Sequence, residues 1–497
     1  MVKNQSLGYN DAMKFDVPDE VSRITNELEK AGFKAFLVGG CVRDLILGKT
    51  PKDWDITTDA IPEQIQELFP ESFYENDFGT VGVKNEDVSD ETLKVVEVTP
   101  FRTETTYSDN RHPDTVAFSK NIEDDLKRRD FTINALAYSN GELIDLYNGQ
   151  KDLEKGIIKT VGSPDERFGE DALRILRAIR FSAQLNFSID SETLISIEKH
   201  AQSLSNVSRE RIRDEFTKII MSDNPMIGIL LIEKVGLLSY VAPILGEMIG
   251  VDQNKEAHKY DVWEHSLRSL QHAADKKYPL DIRLAALFHD IAKPHTKRVE
   301  KHGTTFYGHE VVGAKVTRET LTDLKYSKEI IEKVTKLVRW HMFFSDPEQI
   351  TLSAVRRIIT KVGEDNIWDL MNLRVCDRIG TGRPKEEPYR LRKYKSMVEE
   401  ALRAPLSVTM LKVDGNSLIK ELGIKPGPRI GYILHALFED VLDNPELNNE
   451  DYLINRAEEL KDISIEELEV LGRKGRERLE EEDSAILKDI KRKHKVK

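Results

Sequence analysis

The stretch from Phe36 to Ala60, FLVGGCVRDLILGKTPKDWDITTDA, constrains the fold of this chain more than any other. It reads as a buried strand over Ala35 to Val38, a turn at Gly39-Gly40, a short helix carrying Arg43 and Asp44, and a second strand holding Asp53 and Asp55. Adjacent glycines let the backbone approach a ligand closely, and the helix that follows offers unpaired N–H groups and the positive end of its dipole to a phosphate. Carboxylates at i and i+2 of a strand share a face, because the side-chain period is two. Such a pair can hold one or two Mg²⁺ ions against a triphosphate. Each piece alone is an ordinary turn or a solvated strand end; the ordered combination points to nucleotide chemistry.

Bulk properties narrow the setting. A chain of 497 residues, 39% hydrophobic and 32% charged, predicts roughly three globular domains. No run approaches the eighteen or so apolar residues of a membrane span, and the first residues lack a signal peptide's apolar core, so the expectation is a cytoplasmic protein with no membrane partner. Cys41 and Cys376 form no CxxC pair, which argues against a disulfide framework or a zinc ribbon. The net charge of −13 does not by itself suggest a nucleic-acid partner. Local basic clusters do, at Lys127 to Arg129, Arg174 to Arg180, Arg390 to Lys395 and Lys491 to Lys497.

Around the opening stretch, residues 19–31 place Val21, Ile24, Leu28 and Ala31 on one helical face. Pro62 to Leu68 reads as a short helix, and Gly79 to Lys84 and Leu93 to Phe101 alternate like strands of one sheet. In the second, Val96 and Val98 face one way, Glu97 and Thr99 the other. The loop from Thr103 to Asp114 is polar and aperiodic. Further on stand DLKRRDFTINA, then RFGEDALRILRAIRFSAQL, in which Asp171 and Arg174, three residues apart, are expected to share a helix face.

Taken together, GG, RD, DxD, RRDFTxNA and EDxxR make the chain resemble the nucleotidyltransferase superfamily of DNA polymerase β, and within it the class II tRNA nucleotidyltransferase and poly(A) polymerase family. The resemblance implies an α+β chain: a polymerase-β-like head with a mixed sheet flanked by helices, followed by all-α neck, HD and tail domains. It implies Mg²⁺ on Asp53 and Asp55, with Glu97 as a third catalytic carboxylate. Gly39, Gly40 and Arg43 would hold the triphosphate, and Arg129, Asp130 and Asn134 the ribose and phosphates. Asp171 and Arg174 would meet the base, so that side chains replace a nucleic-acid template, and Arg177 and Arg180 on the same helix would also bind the nucleotide. The loop at 103–114 would shift the site between adding C and adding A. In VSRERIRDEF, Ser208 would cap a helix while Glu210 and Arg211 hold the neck together.

A second constellation begins past residue 255: His265, the adjacent pair His289-Asp290, His309, His341 and Asp377. This pattern resembles the HD-domain metal phosphohydrolases. Imidazole and carboxylate ligands suit Mn²⁺, Fe²⁺, Co²⁺ or Ni²⁺, with Mg²⁺ also accommodated if water fills the remaining positions. Four of these residues would hold one metal, and His309 and His341 would build a second; Lys293 would be a cationic helper. Toward the end, two amphipathic helices are expected on either side of GIKPGPRIG, and Lys385 to Arg403 is expected to face RNA. The expected divisions are a head over 1–149, a neck over 150–245, an HD domain over 246–384 and a tail over 385–497. The implied activity is template-independent addition of CCA, or part of it, to tRNA from CTP and ATP by a monomer or homodimer. Poly(A) synthesis, CC-only or A-only addition, and a mainly HD-type phosphohydrolase stand as alternatives.

Overall fold

The computed structural model describes residues 14–75, 79–86, 88–104, 116–253, 259–301, 303–343, 350–402, 411–443, 445–471, 492, 494 and 495. Of the expected loop at 103–114, residues 105–114 lie outside the described residues, as do Arg403 and most of the basic ending. The chain divides into two compact units, residues 1–339 with 376–383 and residues 340–375 with 384–497.

The first unit opens with α1 (Asp19–Lys30), β1 (Ala35–Val38), α2 (Gly40–Ile46), β2 (Asp55–Thr58), α3 (Pro62–Leu68), β3 (Ser72–Tyr74), β4 (Val81–Lys84) and β5 (Val95–Pro100). There follow β6 (Arg102–Glu104), β7 (Val116–Phe118), α4 (Ile122–Lys127), β8 (Leu136–Ser139) and β9 (Glu142–Asp145). Seven strands form one sheet in the order β3-β4-β5-β2-β1-β8-β9, while β6 and β7 pair separately. The β2–β5 pairing is parallel and the β1–β2 pairing antiparallel, so the sheet is mixed. Period two is plain in β5, where Val96 and Val98 are buried and Glu97 is exposed. On α1 the apolar face is Val21, Ile24 and Leu28; Ala31 is exposed at the C-cap, where Gly32 at φ 92° turns the chain.

The i, i+2 spacing predicts Asp53 and Asp55 on one strand. β2 starts at Asp55, so Asp53 lies in the bend before the strand and not on it. The reason is that β1 turns away at Gly39, leaving the residues before Asp55 without a strand to pair with on that side.

The neck comprises α5 (Gly149–Lys155), the two-residue strand β10 (Ile157–Ile158), α6 (Pro164–Glu170), α7 (Leu173–Leu185), β11 (Ser188–Ile189), α8 (Ser191–His200), α9 (Arg209–Ile220), α10 (Pro225–Lys234) and α11 (Leu238–Val241). The expected single helix through EDxxR is broken at Asp171, whose backbone is extended at φ −139°, ψ 107°. Its Oδ1 accepts the Leu173 N–H at 3.0 Å, the side-chain-to-backbone bond with which aspartate interrupts helices. Ser208 stands at the N-cap of α9 but makes no side-chain capping bond.

Continuing within the first unit are α12 (Val262–Asp275), α13 (Leu280–Phe288), α14 (Lys293–Thr296), the hairpin strands β12 (Arg298–Glu300) and β13 (Gly303–Thr305), α15 (His309–Asp323) and α16 (Lys328–Trp340). This bundle is fastened to the neck through Arg283, whose Nη1 donates to Ile220 O at 3.0 Å and Ser222 O at 2.8 Å. The second unit is helical, with the hairpin of helices Gly415–Leu422 and Pro428–Asp443 packed on Glu450–Leu460 around Leu418, Ile433, Leu437 and Leu453. Among the described residues no helix is long and apolar enough to cross a membrane.

Candidate active site

Six residues of the opening stretch and the RRD segment converge at one end of the sheet. Gly39 adopts φ 78°, and a Cβ there would lie 2.9 Å from Arg129 Nη1 and 3.5 Å from Asp55 Oδ2. At Gly40 it would lie 3.7 Å from Arg43 Nη2 and 3.8 Å from Asp53 Oδ1. Gly39 is therefore required by its backbone angle and holds Arg129 at close quarters, whereas at Gly40 a Cβ would meet only ordinary contacts. Asp55 stands opposite Glu97 in the parallel register. Burial pushes the Asp55 carboxyl up to about 7; Glu97 and Asp53 add to the rise, and Arg129 and Arg43 oppose it. Glu97 is also raised, by partial burial and then by Glu75 and Asp53. Carboxylates that repel one another offer hard oxygen donors to a divalent cation, which would remove the repulsion.

The RRD segment is set by Asp125, one turn upstream on α4. Asp125 is fully buried and accepts from Arg128 Nη2 at 2.6 Å and Arg129 Nη2 at 3.0 Å; burial would raise its pKa, but the two guanidiniums hold it low. The i, i+3 and i, i+4 spacing was the available signal. From Arg43 a polar chain runs inward: Nη1 donates to Asn134 Oδ1 at 2.8 Å, Asn134 Nδ2 to Asp130 Oδ1 at 3.2 Å, and Arg177 Nε to Asp130 Oδ2 at 2.7 Å. Phe131 N–H donates to Asp130 Oδ1 at 2.8 Å, and Arg177 Nη2 approaches Oδ2 at 2.6 Å. All four acceptor positions of Asp130 are thus engaged. Burial would raise this carboxyl, but Arg177 and Asn134 outweigh it and hold it at about 2. A ribose hydroxyl must displace one of these donors to bond Asp130.

The neck grips that segment with two more arginines. Arg167 Nη1 donates to Lys127 O at 3.3 Å, and Arg174 Nη2 to Arg128 O at 3.1 Å. The Phe181 ring lies under Arg43, Arg177 and Arg180, at 5.3, 5.6 and 4.3 Å from its centroid. Arg180 also pairs with buried Glu215 at 3.2 Å. Asp171 and Arg174 do not pair with each other: Arg174 bonds Glu170 and the Arg167 carbonyl, and Asp171 Oδ2 takes Arg211 Nη2 at 2.8 Å. Arg211 was expected to be purely structural, and its direct bond to Asp171 was not anticipated.

The HD residues of the first unit also come together. His265 Nε2 lies 2.9 Å from His289 Nε2, 3.2 Å from Asp290 and 3.4 Å from Asp377; His289 Nε2 lies 3.3 and 3.8 Å from the same carboxylates. His289 Nδ1 is 2.9 Å from the Ala286 carbonyl and His309 Nδ1 is 2.8 Å from that of Phe306, which places an N–H at Nδ1 and turns Nε2 toward the carboxylates. His309 Nε2 is 3.3 Å from Asp290 Oδ1. Buried Lys293 reaches Asp290 and Gln253, each at 2.6 Å. The imidazoles of His265 and His289 and the Asp290 carboxylate, all buried, lie close enough together to match a divalent transition ion. Gly380 permits the close packing, since a Cβ there would lie 2.7 Å from His265 O. His341 is buried in the second unit, in the short turn His341–Phe343.

Comparison with known proteins follows these features along the chain. Family models match residues 35–159 (poly A polymerase head domain), 186–248 (probable RNA and SrmB-binding site of polymerase A) and 262–370 (HD domain). A CCA-adding enzyme of Ligilactobacillus salivarius is 32% identical over 461 residues, 90% of this chain and 99% of that protein. The chain belongs to the class II CCA-adding enzyme and poly(A) polymerase family. A CC-adding tRNA nucleotidyltransferase of Thermus thermophilus is also 32% identical, over 82% of this chain and 89% of its own length. The solved Bacillus stearothermophilus CCA-adding enzyme in complex with CTP matches with a TM-score of 0.59 at 25% identity, over 89% of this chain and 98% of that one. The mixed-sheet head, the helical regions behind it and the HD domain are therefore the family's architecture.

Proposed function

We propose that the protein is a tRNA nucleotidyltransferase that adds CCA to the 3′ end of tRNA from CTP and ATP without a nucleic-acid template, in the cytoplasm. The observation that carries this reading is the convergence of Gly39, Gly40, Asp53, Asp55 and Arg129 in a chain that aligns with CCA-adding enzymes over nearly its whole length. Asp53 and Asp55 would hold Mg²⁺, with Glu97 beside them. When bound, the ion supplies charge neutralisation at the triphosphate and lowers the pKa of the attacking hydroxyl. The tRNA 3′-hydroxyl forms a bond to the α-phosphate and pyrophosphate leaves. Arg43 and Arg129 face the phosphates, where planar guanidiniums bond oxygens in pairs. Asp125 holds Arg129, and Asn134, Asp130 and Arg177 hold Arg43 and the ribose side of the pocket in register with α7. Asp171 and Arg174 meet the base.

The decisive assay supplies a tRNA ending at the discriminator nucleotide with labelled CTP and ATP, separately and together. CTP alone is expected to add two residues and the pair three. ATP-only extension of unrelated RNA indicates a poly(A) polymerase instead, and arrest after two residues indicates a CC-adding enzyme. A second reading attaches to the facing imidazoles: His265, His289, Asp290, His309 and Asp377 would hold Mn²⁺, Fe²⁺, Co²⁺ or Ni²⁺, and water on that ion would attack a phosphoester at an RNA end.

A further inference from the structure

Arg211 sits on α9, outside every motif that touches the nucleotide in the reading above, yet its guanidinium bonds one of the two base-facing side chains directly. On the Watson–Crick edge cytosine and adenine share a feature that uracil and guanine lack there: an amino donor (N4 or N6) next to an unprotonated ring nitrogen (N3 or N1). Uracil and guanine present the reverse, a carbonyl oxygen next to a ring N–H. A carboxylate that accepts and a guanidinium that donates, held at fixed separation, therefore accept C and A and oppose U and G. The selectivity depends on the carboxylate keeping its orientation. A free aspartate rotates about its terminal torsion, which has broad minima.

In this structure that torsion is pinned from both sides. Asp171 Oδ1 accepts the Leu173 N–H at 3.0 Å, and Oδ2 accepts Arg211 Nη2 at 2.8 Å. Two of four acceptor positions remain for a ligand, in contrast to Asp130, which has none. Arg174 is fixed separately, by Glu170 and by two backbone carbonyls. Asp171 and Arg211 are both about a fifth exposed, with side-chain values of 17% and 22%, so the pair is open to solvent and not sealed in the core.

We propose that Arg211 is a positioning residue for base selection: it aims the Asp171 carboxylate so that the site reads an amino donor. This rests on the nucleotidyltransferase reading above. The test is single-nucleotide incorporation into tRNA by the full-length wild type and by Arg211→Gln and Arg211→Lys, measuring kcat/KM for CTP against UTP and, on tRNA ending in CC, for ATP against GTP. These ratios cancel differences in the folded fraction. Arg211→Gln is expected to lower both ratios by at least about tenfold, equivalent to the loss of one oriented hydrogen bond. Arg211→Lys, with a single compact cation, is expected to recover part of the loss. Unchanged ratios in Arg211→Gln, with only kcat or thermal stability reduced, overturn the proposal and leave Arg211 a neck brace. If the wild type itself fails to extend tRNA, the nucleotidyltransferase reading falls instead.

Discussion

Asp55 and Glu97 face each other across the parallel pairing of β2 and β5, so two carboxylates share one end of the sheet with Asp53 close by. The sheet pays for this arrangement with repulsion, and that repulsion can be measured.

The Asp55 carboxyl rises from the ordinary 3.8 to about 7, mainly through burial. Between those values the unfolded chain has released the proton that the folded chain still holds, so metal-free stability declines as pH rises from about 4 to 7. Asp55→Asn is expected to remove that decline and to raise stability near neutrality by about 1–3 kcal/mol. Nucleotide addition is expected to be lost in the same variant. Melting curves in EDTA from pH 5 to 8, beside the tRNA assay, check both; a variant that melts earlier than wild type at pH 7.5 contradicts the expectation.

Asp130 shows the opposite sign. With its carboxyl held at about 2 against an ordinary 3.8, its stabilising contribution is complete above that ordinary value and is lost as pH falls toward 2. Arg177→Ala leaves a buried carboxylate short of its main partner and is expected to cost about 2–3 kcal/mol at pH 7. Combining it with Asp130→Asn is expected to recover part of that cost, which a double-mutant cycle by urea denaturation measures.

At Gly39 the two demands for glycine are independent. Alanine there meets both a left-handed backbone and Arg129 Nη1 at 2.9 Å. The expected result is a loss of about 1–2 kcal/mol in stability and a higher KM for CTP, because Arg129 must move. Steady-state kinetics that show normal KM and a normal melting temperature rule this out.

His289→Ala separates the two centres. It removes one of the facing imidazoles of the HD cluster, so bound transition metal, counted by elemental analysis, is expected to fall while CCA addition persists. Loss of tRNA extension in a folded, metal-poor variant would show that the HD cluster serves the transferase reaction.

The geometry that could be read from the sequence is the part set by local pattern. The strand, GG turn and short helix of residues 35–46 follow from alternation and glycine, and the clustering of His265, His289 and Asp290 from the placing of His and Asp along helices. What could not be read is side-chain partnership at a distance. Spacing put Asp171 and Arg174 on one helix face, but the Asp171 carboxylate captures the Leu173 N–H and breaks the helix between them. Arg211 lies 40 residues downstream of its partner Asp171, and Arg177 lies 47 beyond Asp130; no periodicity connects either pair. Asp53, placed on the strand by its i+2 spacing, falls just short because its neighbour β1 ends first.

The saturation of Asp130 has an evolutionary consequence. Donors from its own turn (Phe131), from Asn134 and from the neck (Arg177) meet on a single buried carboxylate. Replacing any one strands the others, so drift at these positions is tolerated only when it is concerted, and a lineage that changes one must carry a compensating change at another. In an alignment of relatives, positions 130, 134 and 177 should therefore vary together or not at all.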